Sequence, residues 1–491
     1  MGRAVAVNRS NISLGLWSIV LQWSRFAIAA LVFICIANWL SLAEIGAFAV
    51  AAAPLRFLQV VHRTGITDAD IVARSNLAHG KETDALFVIS ICVAFALAAL
   101  LYFASRMVGF LSESELPVGP MMASLAIVPL FNGLAAVPEG ILRHSLRVRA
   151  LALRTMAVQS VSAGLTFVAA SHGLGPWSLV LFLIANAVLG AVSALFIARW
   201  RPSCLPRPKH LFGPARSVLV LSGQALVSNA LQPLLQLSVG YWLGLADAGA
   251  FQIAMRFLGL LDAIAVAPAR YLALPLLSGS GRGNGWFERT VPRAVRLSAL
   301  VSAPVYLGAA CTAPLILAVF VGPDHARSSA AMFQFLCFLG LANAVSMILL
   351  QASVAAGRAD VALWRSLGLL ILSAVLAWPA LGYSATAVAG SAAVAGMCIS
   401  ICMFCTVPPK IDVPVKPTAR AAAWPVMAAL SMGFMIHALA RTPALQNLSD
   451  PLQLGLLVVV GLSIYAILIR LMAKESITDL AFVFKSQESR P

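Results

Sequence analysis

Apolar runs of about 20 residues or more recur along the whole 491-residue chain, parted by short polar breaks, and that rhythm leaves few folds open. A bilayer core is about 30 Å thick, so a spanning helix needs about 20 consecutive, mostly apolar residues. Inside hydrocarbon every backbone group must be satisfied within the chain, which admits only helices and closed barrels. Runs of this length fit helices. They predict fourteen, at roughly 12–38, 44–64, 84–105, 118–140, 152–171, 176–198, 217–243, 247–277, 294–321, 328–355, 361–382, 385–407, 421–440 and 453–473. No break between them is long enough for a folded soluble domain. With 60% hydrophobic and only 11% charged residues, the chain lacks the charged surface of a soluble protein this long. The first run follows Arg3 and Arg9 but is too long for a signal-peptide core, so it reads as an uncleaved first helix.

The net charge of +16 has a topological explanation. With the N-terminus in the cytoplasm, 27 of the 34 Lys and Arg residues fall in cytoplasmic segments and three outside (Arg106, Arg327, Arg441), with four left inside helices. The largest cluster is Arg199, Arg201, Arg207, Lys209 and Arg216, followed by Arg143, Arg147, Arg149 and Arg154. This positive-inside asymmetry puts both termini inside, in agreement with an even helix count. It removes the need for a nucleic-acid partner and leaves lipid headgroups as the secondary contact. Seven of the eight cysteines lie in expected helices, and Cys398, Cys402 and Cys405 share one face. They read as small packing residues, not a metal site. There is no phosphate-binding G-x-x-x-x-G-K-[ST] loop, no H-E-x-x-H and no acidic dyad. Neither a metal nor a cofactor is expected. Transport energy must therefore come from an ion gradient, the membrane potential or removal of product.

The chain repeats itself. LSLAEIGAF at Leu40–Phe48 matches LGLADAGAF at Leu243–Phe251 in six of nine positions, with Glu44 opposite Asp247. Each copy joins the first and second helices of a six-helix set. The offset of 203 residues gives two halves of like orientation, related by an axis along the membrane normal, an arrangement that places substrate sites at the repeat interface. The expected layout is an N-lobe over 1–200, a basic Pro-bearing linker at 201–216 and a C-lobe over 217–407. A second linker at 408–420, two further helices within 421–473 and a cytoplasmic tail at 474–491 complete it.

Three segments carry a family resemblance: LAEIGAFAVAAAPLRFLQVVHRTGITDADIVAR (Leu42–Arg74), LRHSLRVRALALR (Leu142–Arg154) and GLADAGAFQIAMRFLGLLDAIAVAPARYLALPLLS (Gly244–Ser278). With the six-plus-six-plus-two layout, they resemble the multidrug/oligosaccharidyl-lipid/polysaccharide (MOP) flippase superfamily. Within it they resemble the polysaccharide and O-antigen flippase branch, including exopolysaccharide transporters of the succinoglycan type. The resemblance implies an all-α polytopic membrane protein with about fourteen transmembrane helices, in two pseudo-symmetric six-helix lobes plus a two-helix appendage. It departs from the pattern at His62, Arg63 and Thr64, before Gly65, where relatives often carry an acidic residue.

Four arginines interrupt spanning runs: Arg25, Arg56, Arg256 and Arg270. Intramembrane charge is costly and nearly always faces a protein interior or a wet cavity. At 1.5 Å per residue, Arg25 lies ~20 Å into helix one, Arg56 ~18 Å into helix two and Arg256 ~14 Å into helix eight. All three fall in the middle third of the core, whereas Arg270 lies near enough the cytoplasmic end to snorkel. Gln22, Gln59 and Gln252 sit about a turn from Arg25, Arg56 and Arg256, so each helix presents a polar patch. Helix seven adds Gln224, Ser228, Gln232 and Gln236 at four-residue spacing, with Asn229 beside them. Such a ladder serves either sugar hydroxyls or helix–helix contact. Arginine forks bind phosphate bidentately, and lipid II flippases of the same superfamily are similar in carrying cavity arginines on helices one, two and eight. The competing reading is local pairing, but Asp262 is the only acidic residue expected at depth and cannot neutralise four cations. It is also the candidate for ion coupling.

These features imply a transporter, not an enzyme. Its expected substrate is an undecaprenyl-diphosphate-linked oligosaccharide, flipped across the bacterial inner membrane by alternating access through a cationic cavity. Membrane lipid and polysaccharide polymerase or export proteins are the further expected partners, and the protein is expected to act as a monomer. A multidrug or cation antiporter needs acidic residues in its cavity, the opposite sign. A membrane-embedded polymerase or ligase needs a large outer loop that this chain lacks. A peptidoglycan lipid II flippase remains an alternative, because its substrate shares the lipid diphosphate.

Overall fold

A computed structural model describes residues 28–67, 81–111, 116–144, 148–200, 211–277, 286–358 and 360–472. Among them every regular element is helical. The helices are α1 (Ile28–Ala37), α2 (Leu42–Val60), α3 (Lys81–Leu111), α4a (Val118–Leu125) and α4b (Ile127–His144), α5 (Val148–Ser171), α6 (Trp177–Ala198), α7a (Phe212–Asn229) and α7b (Leu231–Trp242). They continue as α8 (Leu245–Leu277), α9a (Trp286–Cys311) and α9b (Ala313–Val321), α10 (Pro323–Ala355), α11 (Asp360–Ala380), α12 (Ala385–Lys410), α13 (Val415–Ala440) and α14 (Asp450–Met472). Twelve of the described helices are long and apolar enough to cross a membrane, and α7a with α7b, bent by 51°, are so together. The protein is a multi-pass membrane protein. Helix α1 stands where the first expected span ends, and the rest of that span, with Gln22 and Arg25, lies outside the described residues.

Prolines decide where spans break. A proline has no N–H to donate and its ring clashes with the carbonyl four residues back. Pro233 sets that clash at Asn229, where α7 bends. Pro129 sets it at Leu125, where α4a ends, and Pro314 occupies the first turn of α9b just after the break at Thr312. Pro54 and Pro304 are instead absorbed inside continuous helices.

The helices divide into two compact units, parted within α8 between Gln252 and Ile253. The first holds α1 to α7b and the opening turns of α8. There α4b packs on α3 and α6, α5 packs on α6, and α2 packs on α7b and α4a. The second holds the rest of α8 with α9a to α14, where α10 packs on α12 and α9a, α13 lies along α9a, and α14 packs on α13. Tyr465 of α14 donates to the Leu300 carbonyl of α9a at 3.0 Å. Between lipid and lipid-like side chains there is no hydrophobic drive for helices to associate, so close packing of small residues does that work. Ala47, Ala49, Ala51, Ala52 and Ala53 of α2 are all buried accordingly.

The repeated segments meet each other. A side chain on Gly46 of α2 would run into the Leu245 carbonyl of α8, with the Gly249 nitrogen 2.9 Å away. One on Gly249 would run into the Leu42 carbonyl, with the Gly46 nitrogen 3.0 Å away. Adding the 203-residue offset to 42 and 46 gives 245 and 249. The contact is therefore reciprocal, residue for residue, as an isologous two-fold contact is. Only glycine permits backbones to approach this closely.

Candidate functional site

Two turns inward from that crossing, the first unit holds an open cavity of about 200 Å³. Ala53, Arg56, Gln59 and Val60 of α2 line it, with Asn229, Gln232, Pro233 and Gln236 of α7 and Gln252 of α8. The α7 strip follows an i, i+3, i+4, i+7 pattern and the α2 strip an i, i+3, i+6, i+7 pattern, each the spacing of one helix face. The bend imposed by Pro233 turns that strip of α7 toward the space.

Among the described residues Arg56 is the only charged side chain in the lining. Its Nη1 donates to Gln252 Oε1 at 2.9 Å, and its guanidinium lies 5.7 Å from the centre of the Phe48 ring on the same helix. A cation over an aromatic face at this range is attracted to the ring. The fork is thus held from two sides while its helix face opens on the cavity. Gln252 stands one turn from Arg256 on α8, yet its amide serves the arginine of α2 instead. Gln236 is buried and donates to the Ala248 carbonyl at 2.9 Å, tying α7b to α8. Asn229 donates to Ala225 at 2.8 Å, and exposed Gln232 faces the cavity. Gln224 and Ser228 are exposed on α7a and do not line it. Of the ladder expected on helix seven, three residues line the cavity, Gln236 among them tying α7b to α8, and two stand outside it. Such a lining suits an anion flanked by hydroxyl groups, and the volume suits a phosphate or sugar-sized portion of a larger molecule.

The reciprocal crossing sets a register between α2 and α8, since both helices run unbroken from it. The lining positions Ala53, Arg56, Gln59 and Val60 correspond to Arg256, Gly259, Asp262 and Ala263. Arg256 and Asp262 thus occupy, in the second copy, the face that lines the cavity in the first. Arg256 is partly buried. Asp262 accepts a hydrogen bond from the Tyr306 hydroxyl of α9a. Arg270 lies in α8, with its side chain outside the described residues.

Two arginines that by sequence count with the cytoplasmic cations, Arg154 and Arg365, tie one helix to another. Arg154, in α5, is 7% exposed. It donates to Glu139 of α4b at 2.8 Å, to the Gly190 carbonyl at 2.6 Å and to Ser193 Oγ at 2.9 Å, both in α6. Arg365, in α11, donates to Asn343 Oδ1 of α10 at 2.7 Å. Glu139, an acid in the apolar stretch LAAVPEGIL, was the available signal for the first. Below the cavity α2 passes into a π-turn at Val61–Ile66, a feature often found at functional sites. Buried His62 within it lies 3.4 Å from the Ser90 carbonyl.

The sequence signature of the polysaccharide biosynthesis protein family matches residues 35–330. The chain belongs to this family. As a polysaccharide biosynthesis protein it is 22% identical, over 306 residues, to the succinoglycan biosynthesis transport protein ExoT of Rhizobium meliloti (strain 1021). That alignment covers 62% of this chain and 61% of ExoT, so the chain spans about three fifths of the curated relative it matches. Among solved structures it is similar to the lipid II flippase MurJ in an inward closed conformation, with a TM-score of 0.77 and 14% identity over 95% of this chain and 100% of that one. A MOP superfamily transporter from Pyrococcus furiosus matches with a TM-score of 0.58 and 15% identity over 81% of this chain and 95% of that one. An inward-facing multidrug resistance MATE family transporter gives 0.57 and 15% over 81% and 94%. The polysaccharide biosynthesis protein has the MOP flippase fold.

Proposed function

We propose that this protein flips a polyprenyl-diphosphate-linked oligosaccharide from the inner to the outer leaflet of a bacterial inner membrane, for exopolysaccharide or O-antigen assembly. The observation that carries the reading is Arg56, held by Gln252 and Phe48 in a cavity whose other polar lining is all amide. In a low-dielectric site a positioned guanidinium favours phosphate strongly, and amides suit sugar hydroxyls. A cationic drug would meet the wrong charge there. The family and the likeness to the succinoglycan transport protein ExoT support a polysaccharide precursor as cargo.

In this mechanism the diphosphate engages Arg56, the glycan meets Gln59, Asn229 and Gln232, and the lipid tail stays in the bilayer. Arg25, Arg256 and Arg270 are the further candidates for the diphosphate as the site changes its accessibility. Both termini lie in the cytoplasm, and the two six-helix lobes of the repeat are the moving parts.

The test is mass spectrometry of lipid extracts after deletion of the gene. Diphosphate-linked repeat units should accumulate while surface polysaccharide falls, and the glycan would be read from its mass. An unchanged lipid pool with new sensitivity to cationic dyes would overturn the proposal in favour of an antiporter.

A further inference from the structure

The first unit also carries an apolar groove, lined by none of the cavity's residues. It holds about 390 Å³ and opens between α3 and the break in α4. Phe95, Ala98, Ala99, Tyr102 and Phe103 supply its α3 side, and their spacing puts them on one helix face. The small Ala98 and Ala99 lie between the larger rings, so the face dips where its side chains are shortest. Ala126, 8% exposed, and Ile127 line the groove from the break that Pro129 imposes on α4. Only 22% of the α3 span is buried, so this face meets lipid. The same face ends in a charge. Arg106 follows Phe95 by eleven residues, close to three full turns, and its side chain is exposed. Its Nη2 donates to the Tyr102 hydroxyl at 3.5 Å, and its guanidinium lies 5.7 Å from the centre of the Tyr102 ring. The apolar span of α3 runs over Thr83–Val108. From its start Phe95 lies ~18 Å in and Arg106 ~34 Å in. Across a core about 30 Å thick, the groove begins just past the middle and the arginine stands at headgroup level.

We propose that this groove binds an acidic phospholipid of the phosphatidylglycerol type, one acyl chain along the α3 face and the phosphate on Arg106. The inference does not depend on the flippase reading. An apolar trough one leaflet deep, with a cation at its mouth, complements a lipid tail below and an anionic headgroup above. The guanidinium fork suits phosphate oxygens, and Tyr102 holds it over the groove. Phosphatidylethanolamine carries an ammonium of its own beside its phosphate, which leaves less net charge for Arg106 to attract. A glycan-bearing lipid fits less well, because among the described residues the Tyr102 hydroxyl is the only polar side-chain group in the lining.

Two measurements on the purified full-length protein test this. The first is native mass spectrometry in detergent, titrating phosphatidylglycerol against phosphatidylethanolamine of matched chains. The first phosphatidylglycerol should bind about fivefold more tightly, the attraction that one cation supplies to an anionic headgroup. Arg106→Gln should erase that preference, whereas Arg327→Gln, at another exposed arginine, should keep it. The second is crosslinking with phosphatidylglycerol that carries a diazirine in its tail. The label should fall on peptides holding Phe95–Phe103 or Ala126–Leu130, and Ala99→Trp, which fills the dip, should reduce it severalfold. Equal binding of the two lipids, a preference that survives Arg106→Gln or label spread evenly over the helices would mean annular lipid only and overturn the proposal. Undecaprenyl phosphate that outcompetes phosphatidylglycerol for the same peptides would overturn it too, giving the groove to a polyprenyl tail. If Ala99→Trp fails to fold, the exposed Arg106→Gln variant decides.

Discussion

Helices α2 and α8 begin from the same nine-residue corner and part company within three turns. At the corner they are interchangeable: Gly46 and Gly249 each admit the other's backbone, and Ile45 and Ala248 each donate the opening helical bond to Ser41 and Gly244. Farther in, one face reads Ala53, Arg56, Gln59 and the other Arg256, Gly259, Asp262. The cation has shifted by one turn and an amide has become an acid. Duplication has kept the residues that hold the backbones together and released those that meet a ligand. A contact of two backbones tolerates no variation, whereas a wet face does.

The largest effect should come from breaking what the copies share. Gly46→Leu and Gly249→Leu each drive a side chain into backbone, which cannot move aside, so each should abolish stable, monodisperse protein in detergent. Because both destroy one contact, their milder Gly46→Ala and Gly249→Ala forms should be non-additive when combined. Thermal unfolding of the purified variants measures this. Equal losses support the reciprocal contact, and a harmless Gly249→Ala beside a damaging Gly46→Ala would break it.

Next in size is a second pair of counterparts, the arginines of α5 and α11. Arg154 is paired with a carboxylate, Arg365 with an amide. Removing one member of a buried ion pair costs about 3–5 kcal/mol, and losing a hydrogen bond to a charged group about 1.5–3 kcal/mol. Arg154→Met should therefore destabilise more than Arg365→Met in the same unfolding assay. Adding Glu139→Leu should recover part of the first loss, because the stranded charge then goes too.

The cavity itself comes third. Arg56→Gln should lower flipping about 10–100-fold, the rate equivalent of losing a charge-assisted hydrogen bond of about 1.5–3 kcal/mol. Gln252→Leu, which leaves the cation but frees its fork, should cost less, about tenfold or under. Flipping in vesicles separates the two. If Gln252→Leu proves the worse, the amide and not the cation is the substrate contact.

Spans, repeat and deep charges were legible because lipid punishes exceptions: an apolar run must be helical, and an arginine inside one must be accommodated. The bend of α7 was half legible, since Pro233 was visible but not which way its strip would turn. Gln252 shows where local reasoning ends. Its neighbour along the helix is Arg256, but a helix face also looks outward, and the partner it found stands 196 residues away. Arg154 and Arg365 were hidden by their nearness to basic loops, where a burying partner from another helix leaves no trace in the local sequence. The π-turn at Val61–Ile66 has no periodic signature at all, for one extra residue in a turn changes no composition.

The smallest expected effect returns to the corner, at the one place where the copies differ in how the helix starts. Ser41 caps α2: its hydroxyl accepts from the Glu44 nitrogen at 3.3 Å, and the Glu44 carboxylate accepts from the Ser41 nitrogen at 2.8 Å. The counterpart of Ser41 is Gly244, at φ +97°, a conformation that costs an L-residue about 1–2 kcal/mol. Ser41→Ala should cost about 1 kcal/mol and Ser41→Gly only a few tenths. At the other copy the ranking inverts, since Gly244→Ser offers a cap in a backbone that serine does not tolerate and should destabilise more than Ser41→Ala. Thermal unfolding of the three variants reads the order directly. A neutral Gly244→Ser would mean that the second corner relaxes to the first one's geometry, and the two starts would then be alternatives of a single corner instead of two fixed designs.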